Sequence, residues 1–146
     1  MADDVLSACT VTMNVPVAWG EMDAMGHVNN IIYFRYFETV RIEYFNRLGM
    51  MEYSQRTGIG PILASTECRF KMPLQCPDTV IVGAKILSME EDRVVMGYEV
   101  FSMRHKRIAA EGEGVVVTYD YRNNKKVAVP EELRKKIMEL EKMDGE

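Results

Sequence analysis

Apolar and polar positions alternate through Val11, Met13, Val15 and Val17, and this period of two predicts a strand with one buried face within Val5 to Trp19. Pro16 has no N–H to give a ladder, which assigns part of that stretch to an edge or a bulge. The pattern then breaks. Gly20 to Asn30 holds Glu21, Asp23, Gly26, His27, Asn29 and Asn30 and few bulky apolar side chains, so it predicts a loop leading into a helix. Asn29 or Asn30 is the expected N-cap, because a side-chain amide oxygen there can accept from an orphan backbone N–H. From Ile31 to Leu48 the spacing becomes three and four, and Tyr33, Phe37, Val40, Tyr44 and Leu48 share one helical face. Ile31, Ile32, Phe34 and Phe45 widen the apolar surface, so this helix is expected to be buried on most sides. Glu38 and Arg41 stand at the spacing of a structural ion pair, and Gly49 is read as the helix stop.

Met50 to Gly60 reads as a connector. Four strand-like stretches follow, at Pro61 to Lys71, Thr79 to Met89, Arg93 to Met103 and Ile108 to Tyr121. Pro73 and Pro77, then Glu90 to Asp92, then Arg104 to Arg107 separate them, and breaks this short favour antiparallel neighbours. Gly112 and Gly114 in the last strand suggest a bulge or a close backbone approach. A short helix is expected from Pro130 through Leu133, Ile137 and Leu140. With one long helix and no second one large enough to cover it, the strands must supply its partner. An antiparallel sheet of about five strands curled around the helix, an α+β arrangement, satisfies that need.

The length of 146 residues suits one domain, residues 1–146, and a hydrophobic fraction of 47% is enough for a packed core. A net charge of -4 argues against nucleic acid as the main partner, since phosphate binding favours a basic face. No stretch approaches a membrane span. The start of the chain, Met1 to Thr10 with Asp3 and Asp4, lacks the basic residues and apolar run of a secretory leader. Cys9, Cys68 and Cys76 are odd in number and at no metal-ligand spacing, which with 12 methionines fits a reducing, cytoplasmic setting.

One segment carries chemistry. Ala18-Trp19-Gly20-Glu21-Met22-Asp23-Ala24-Met25-Gly26-His27-Val28-Asn29-Asn30-Ile31-Ile32-Tyr33, continued by Tyr36-Phe37-Glu38-Thr39-Val40-Arg41, resembles the 4-hydroxybenzoyl-CoA thioesterase family of hotdog proteins. The match in element order spans the chain, and the motif match runs from Val17 to Gly49. The resemblance implies a hotdog fold and hydrolysis of an acyl-CoA thioester, with coenzyme A a part of the substrate and no separate cofactor. It implies a homodimer or homotetramer in which the sheets of two chains join and the active sites lie between them.

Thioester hydrolysis needs a nucleophile or a base for water, and donors aimed at the oxygen that becomes negative. A carboxylate ahead of a helix N-terminus fits the first requirement, and the free N–H groups of the first turn fit the second. By resemblance Asp23 is that carboxylate and the backbone N–H near Asn30 is the carbonyl polariser, while Gly26 lets the backbone approach the thioester. Asp23 attacks the acyl carbon or deprotonates water; both stay open. An Asp before a helix also serves as a plain turn residue. His27 matches the His of the related plant acyl-carrier-protein thioesterase string, where Met25 replaces the Asn, and is read as an assisting group or a hydrogen-bonded loop residue.

Tyr33, Phe34, Phe37, Ile62 and Leu63 are candidates for an acyl pocket or for core. Arg69, Lys71, Arg104, Lys106 and Arg107, with His105 beside them, could hold nucleotide phosphates or form a solvated turn. A hotdog hydratase or dehydratase is the alternative enzyme, although its Asp and His stand five apart and those here four. A non-catalytic acyl-CoA-binding module on the same fold is the alternative outside catalysis.

Overall fold

The computed structural model describes residues 9–142. The expectations placed on residues 1–8 lie outside them. The elements are β1 (Val11–Pro16), a 3-10 turn (Trp19–Glu21), α1 (Asn30–Arg47), α2 (Met50–Thr57), β2 (Ile59–Phe70), β3 (Thr79–Met89), β4 (Arg93–Ser102), β5 (Arg107–Asp120), β6 (Lys125–Lys126) and α3 (Glu131–Lys142). The sheet runs β1-β3-β4-β5-β2, with β6 paired to the end of β5, and every pairing is antiparallel. Among the described residues β1 and β2 are therefore the two edges of that path. Among the described residues no helix is long and apolar enough to cross a membrane.

The helical stripe behaves as its spacing dictates: Tyr33, Phe37, Val40, Tyr44 and Leu48 are all buried against the sheet. Two glycines make that contact close. A Cβ on Gly112 would stand 2.5 Å from Phe37 Cε2, and one on Gly114 would stand 2.7 Å from Tyr98 Oη. Their absence lets the Phe37 and Tyr98 rings stack, with centroids 4.7 Å apart, between α1 and the sheet. Burying a side chain the size of Phe37 contributes about 1.5–3 kcal/mol.

Three expectations are corrected. Arg41 does not pair with Glu38. It is buried, donates to Tyr98 Oη at 3.1 Å and lies over that ring, while Glu38 stays exposed. The long arginine reaches a hydroxyl across the core, an ordered partner that a solvated carboxylate one turn away does not offer. Second, Met50–Thr57 is a helix rather than a connector. Gly49, with φ of 71°, turns the chain in the left-handed region, and Met50 and Tyr53 bury on one side before Gly58 ends the helix in the same conformation. Third, α1 is not covered on most sides, because the sheet wraps only one face: Ile31 and Ile42 are 61% and 52% exposed.

Candidate active site

The loop between β1 and α1 is built on Asp23. Its backbone N–H donates to the His27 carbonyl at 2.7 Å, and its own carbonyl accepts from Gly26 N–H at 3.0 Å. Its carboxylate Oδ1 accepts from the N–H groups of Met25 at 2.9 Å and His27 at 3.2 Å. This is an Asx-type turn, closed by Gly26 at φ of 82°, a conformation glycine adopts without steric penalty. Asn29 then caps α1, its side chain accepting from Ile31 N–H at 3.2 Å. Asn30 N–H donates to no group among the described residues. The positive end of an 18-residue helix thus stands directly after the Asp23 turn.

These residues open onto a cleft of about 320 Å³ lined by Asp23, His27, Asn30, Tyr33, Phe70 and Lys71, with Val28, Met72 and Pro73 completing it. Tyr33 and Phe70 meet edge to face at 5.1 Å and form its aromatic wall. Burial raises the Tyr33 hydroxyl above its ordinary value, opposed by a hydrogen bond with the Leu74 backbone. One oxygen of Asp23 is committed to its own turn, while the exposed side chain leaves the other available to the cleft.

The structure brings Asp23, His27, Asn30, Tyr33 and Lys71 together, with Gly26 in the turn beside them. It does not bring the remaining cations there. Arg69 alternates with Phe70 along β2 and so faces the other side of the sheet, where it pairs with Glu111 at 3.6 Å and Glu67 at 3.5 Å. Arg104 donates to the Pro77 carbonyl at 3.3 Å, Lys106 sits in the turn at φ of 57°, and Arg107 opens β5; none of the three lines the cleft. Lys71 also pairs with Glu111, at 3.6 Å. Phe37 is core, Phe34 and Ile62 are half-buried, and Leu63 is exposed on the edge strand. Among the described residues no group of three or more His, Cys, Asp or Glu side chains could hold a metal ion.

Residues 17–137 match the family model of the thioesterase-like superfamily. The chain belongs to that superfamily. Its relatives and structural neighbours agree at the level of the fold. The chain is 25% identical over 125 residues to the chloroplastic acyl-acyl carrier protein thioesterase ATL3 of Arabidopsis thaliana, covering 85% of this chain and 65% of that protein. It is 43% identical over 56 residues to the uncharacterized protein YsmA of Bacillus subtilis, covering 38% of this chain and 37% of that one. The matches thus span less than two thirds of either relative. A solved thioesterase of Thermus thermophilus, complexed with coenzyme A and Zn, superposes with a TM-score of 0.80 at 28% identity, covering 92% of this chain and 96% of that one. The antiparallel sheet curled around α1 is the hotdog fold of the superfamily.

The sequence does not reveal the far wall of this cleft. Phe70, Met72 and Pro73 come from the end of β2 and the segment after it. The available signal was the Pro73 and Pro77 pair, which marks an irregular segment but not what it faces.

Proposed function

We propose that the protein hydrolyses an acyl-CoA to the free acid and coenzyme A, with Asp23 as the central carboxylate. The observation that carries this reading is the convergence of Asp23, His27, Asn30 and Lys71 on one cleft at the N-terminus of α1. In it the thioester carbonyl oxygen accepts from the Asn30 N–H, where the helix dipole favours developing negative charge. Asp23 then attacks the acyl carbon, giving a mixed anhydride that water opens, or it takes a proton from water attacking that carbon. In either route the C–S bond breaks and coenzyme A leaves as the thiolate, which takes up a proton. His27 assists at the same end of the cleft. Of the cations considered for the phosphates of coenzyme A, Lys71 is the one that lines this cleft, its ammonium paired at rest with the same Glu111 oxygen as Arg69 and freed from it to meet a phosphate, and the coenzyme A held by the Thermus thioesterase supports that choice of carrier. Tyr33 and Phe70 supply an apolar wall for the acyl group.

The chain works as a homodimer or homotetramer on this reading. β2 is an edge strand of 12 residues whose outer side pairs with no strand among the described residues, and with Leu63 and Phe70 exposed it offers a template for a second chain. The test is direct. The purified protein is incubated with aromatic, short-chain and medium-chain acyl-CoAs, and free thiol and free acid are both measured. Release of the two in equal amounts from at least one substrate is expected. Hydration of an enoyl-CoA without thiol release, or binding without turnover across the panel, overturns the proposal.

A further inference from the structure

The segment from Lys71 to Asp78, between β2 and β3, does two things at once. Its first residues, Lys71, Met72 and Pro73, line the cleft. The others hold the Asp23 loop at both ends and in the middle. Val17 N–H, where the loop begins, donates to the Asp78 carbonyl at 2.9 Å, and Val28 N–H, where it ends, donates to the Leu74 carbonyl at 2.8 Å. Between them Cys76 N–H points at Met22 Sδ at 3.4 Å, and Gln75 Nε2 donates to the Gly26 carbonyl at 3.4 Å. The loop that aims Asp23 therefore rests on this strap more than on α1.

The strap is itself pinned at its two ends. At the start, Lys71 N–H and Met72 N–H both donate to the Ala109 carbonyl, at 2.8 and 3.2 Å. At the finish, the Asp78 carboxylate accepts from Ser102 Oγ at 2.6 Å, from Thr79 N–H at 2.7 Å and from Arg104 N–H at 3.0 Å. Ser102 is fully buried, and its Oγ accepts in turn from His105 N–H at 3.0 Å. Arg104 adds a bond to the Pro77 carbonyl. The β4–β5 turn, basic in sequence, is thus organised around one carboxylate.

We infer that Asp78 is a positioning residue for Asp23: it fixes the strap to the β4–β5 turn, and the strap fixes the Asp23 loop against the N-terminus of α1. This rests on the reading of Asp23 as the reacting carboxylate. Asp78 touches no substrate in this arrangement; it acts on the loop through its own carbonyl at Val17 and through Leu74, Gln75 and Cys76. Misplacement of a reacting group by about 1 Å lowers turnover by about 100-fold, and loss of three acceptor contacts at Asp78 lets the strap move on that scale.

The test uses the full chain with Asp78→Ala, Asp78→Asn and Ser102→Ala, and with Leu133→Ala on α3 as a variant destabilised away from the site. Amide exchange by mass spectrometry is read over residues 17–29, and kcat and KM are measured below each variant's Tm. Asp78→Ala is expected to speed exchange in the loop and to lower kcat by about 10- to 100-fold with KM within about threefold. Asp78→Asn keeps an acceptor for Thr79 and Arg104 and restores both readouts to near wild type. Ser102→Ala, which removes one of the three bonds to the Asp78 carboxylate along with the one from His105 N–H, falls between them and stays measurable if Asp78→Ala does not fold. Leu133→Ala lowers Tm without either effect. Unchanged loop exchange in Asp78→Ala or Ser102→Ala overturns the inference, as does a kcat loss no larger than that of Leu133→Ala. If the wild type cleaves no acyl-CoA, the thioesterase reading fails by itself, and loop exchange alone then decides whether Asp78 holds the loop.

Discussion

Asp23 has two jobs in this structure, and a pair of substitutions separates them. Its carboxylate caps its own turn through Met25 and His27, and it faces the cleft. Asn preserves the first job, because an amide oxygen accepts from the same two N–H groups, and it abolishes the second. Ala abolishes both. Removal of a carboxylate acting as base or nucleophile lowers kcat by about 100- to 10,000-fold, and this loss is expected in both variants. The two turn bonds are solvent-exposed, so together they stabilise by about 1 kcal/mol. In a chain of this size that is a Tm drop of about 3 °C, expected in Asp23→Ala and absent in Asp23→Asn. Thiol release at saturating acyl-CoA and a thermal melt are measured on the same samples. Asp23→Asn with wild-type turnover and Asp23→Ala without it would show that the turn alone matters, and the catalytic assignment would fall.

Gly112→Ala places a Cβ against the Glu67 carbonyl and 2.5 Å from Phe37 Cε2, so overpacking of about 3 kcal/mol and a Tm lower by about 10 °C are expected. Gly20→Ala, where nothing lies within 4 Å, leaves the melt unchanged, and equal melts for the two variants refute the packing argument. Tyr36 Oη is buried with no hydrogen-bond partner among the described residues. Since an unsatisfied buried hydroxyl costs about 1–3 kcal/mol, Tyr36→Phe is expected to hold or raise Tm, and a lower Tm contradicts this. Burial and then the Glu99 carboxylate push the Cys9 thiol up to about 12, and burial pushes Cys68 up to about 11. At pH 8 alkylation of both is expected to be at least about 100-fold slower in the folded protein than in urea, read by peptide mapping. The unfolded thiols, near 9.0, ionise first, so their contribution to stability is intact below pH 9 and falls as pH rises above it. A melt that holds or rises through that range refutes the sign.

Local patterns were legible where the contacts that decide them are local. The bounds expected for β3 match the observed Thr79–Met89, and the stripe on α1 buries as its spacing requires. Asn29 caps the helix because the acceptor and the orphan N–H are two residues apart. What failed was decided at a distance. Arg41 leaves its expected partner for Tyr98, 57 positions along the chain, and no spacing rule carries that choice. Met50–Thr57 buries only Met50 and Tyr53, too few apolar positions in one short helix to register as a period.

The site divides along the same line. Asp23 was singled out by the family motif, and the loop around it was legible as a loop because its hydrogen bonds close within five residues, from Asp23 to His27. The opposite wall depends on which end of β2 meets the start of α1, and that follows from the strand order, in which β2 is an edge paired to β5. Period two along β2 says that Arg69 and Phe70 face opposite sides but not which one sees the helix. Once Phe70 pairs with Ala110 on the side that meets Tyr33, Arg69 must point to the other face, where it shares Glu111 with the Lys71 ammonium in an ion-pair cluster. The charge run at Arg104 to Arg107 followed the same course. Clustered cations in sequence suggest a phosphate grip, but the turn's geometry answers to Asp78, an acceptor from the other side of the sheet's chain path. Clustering in sequence therefore does not say which cations line the Asp23 cleft, and the group around which the Arg104 to Arg107 turn is organised is an acid.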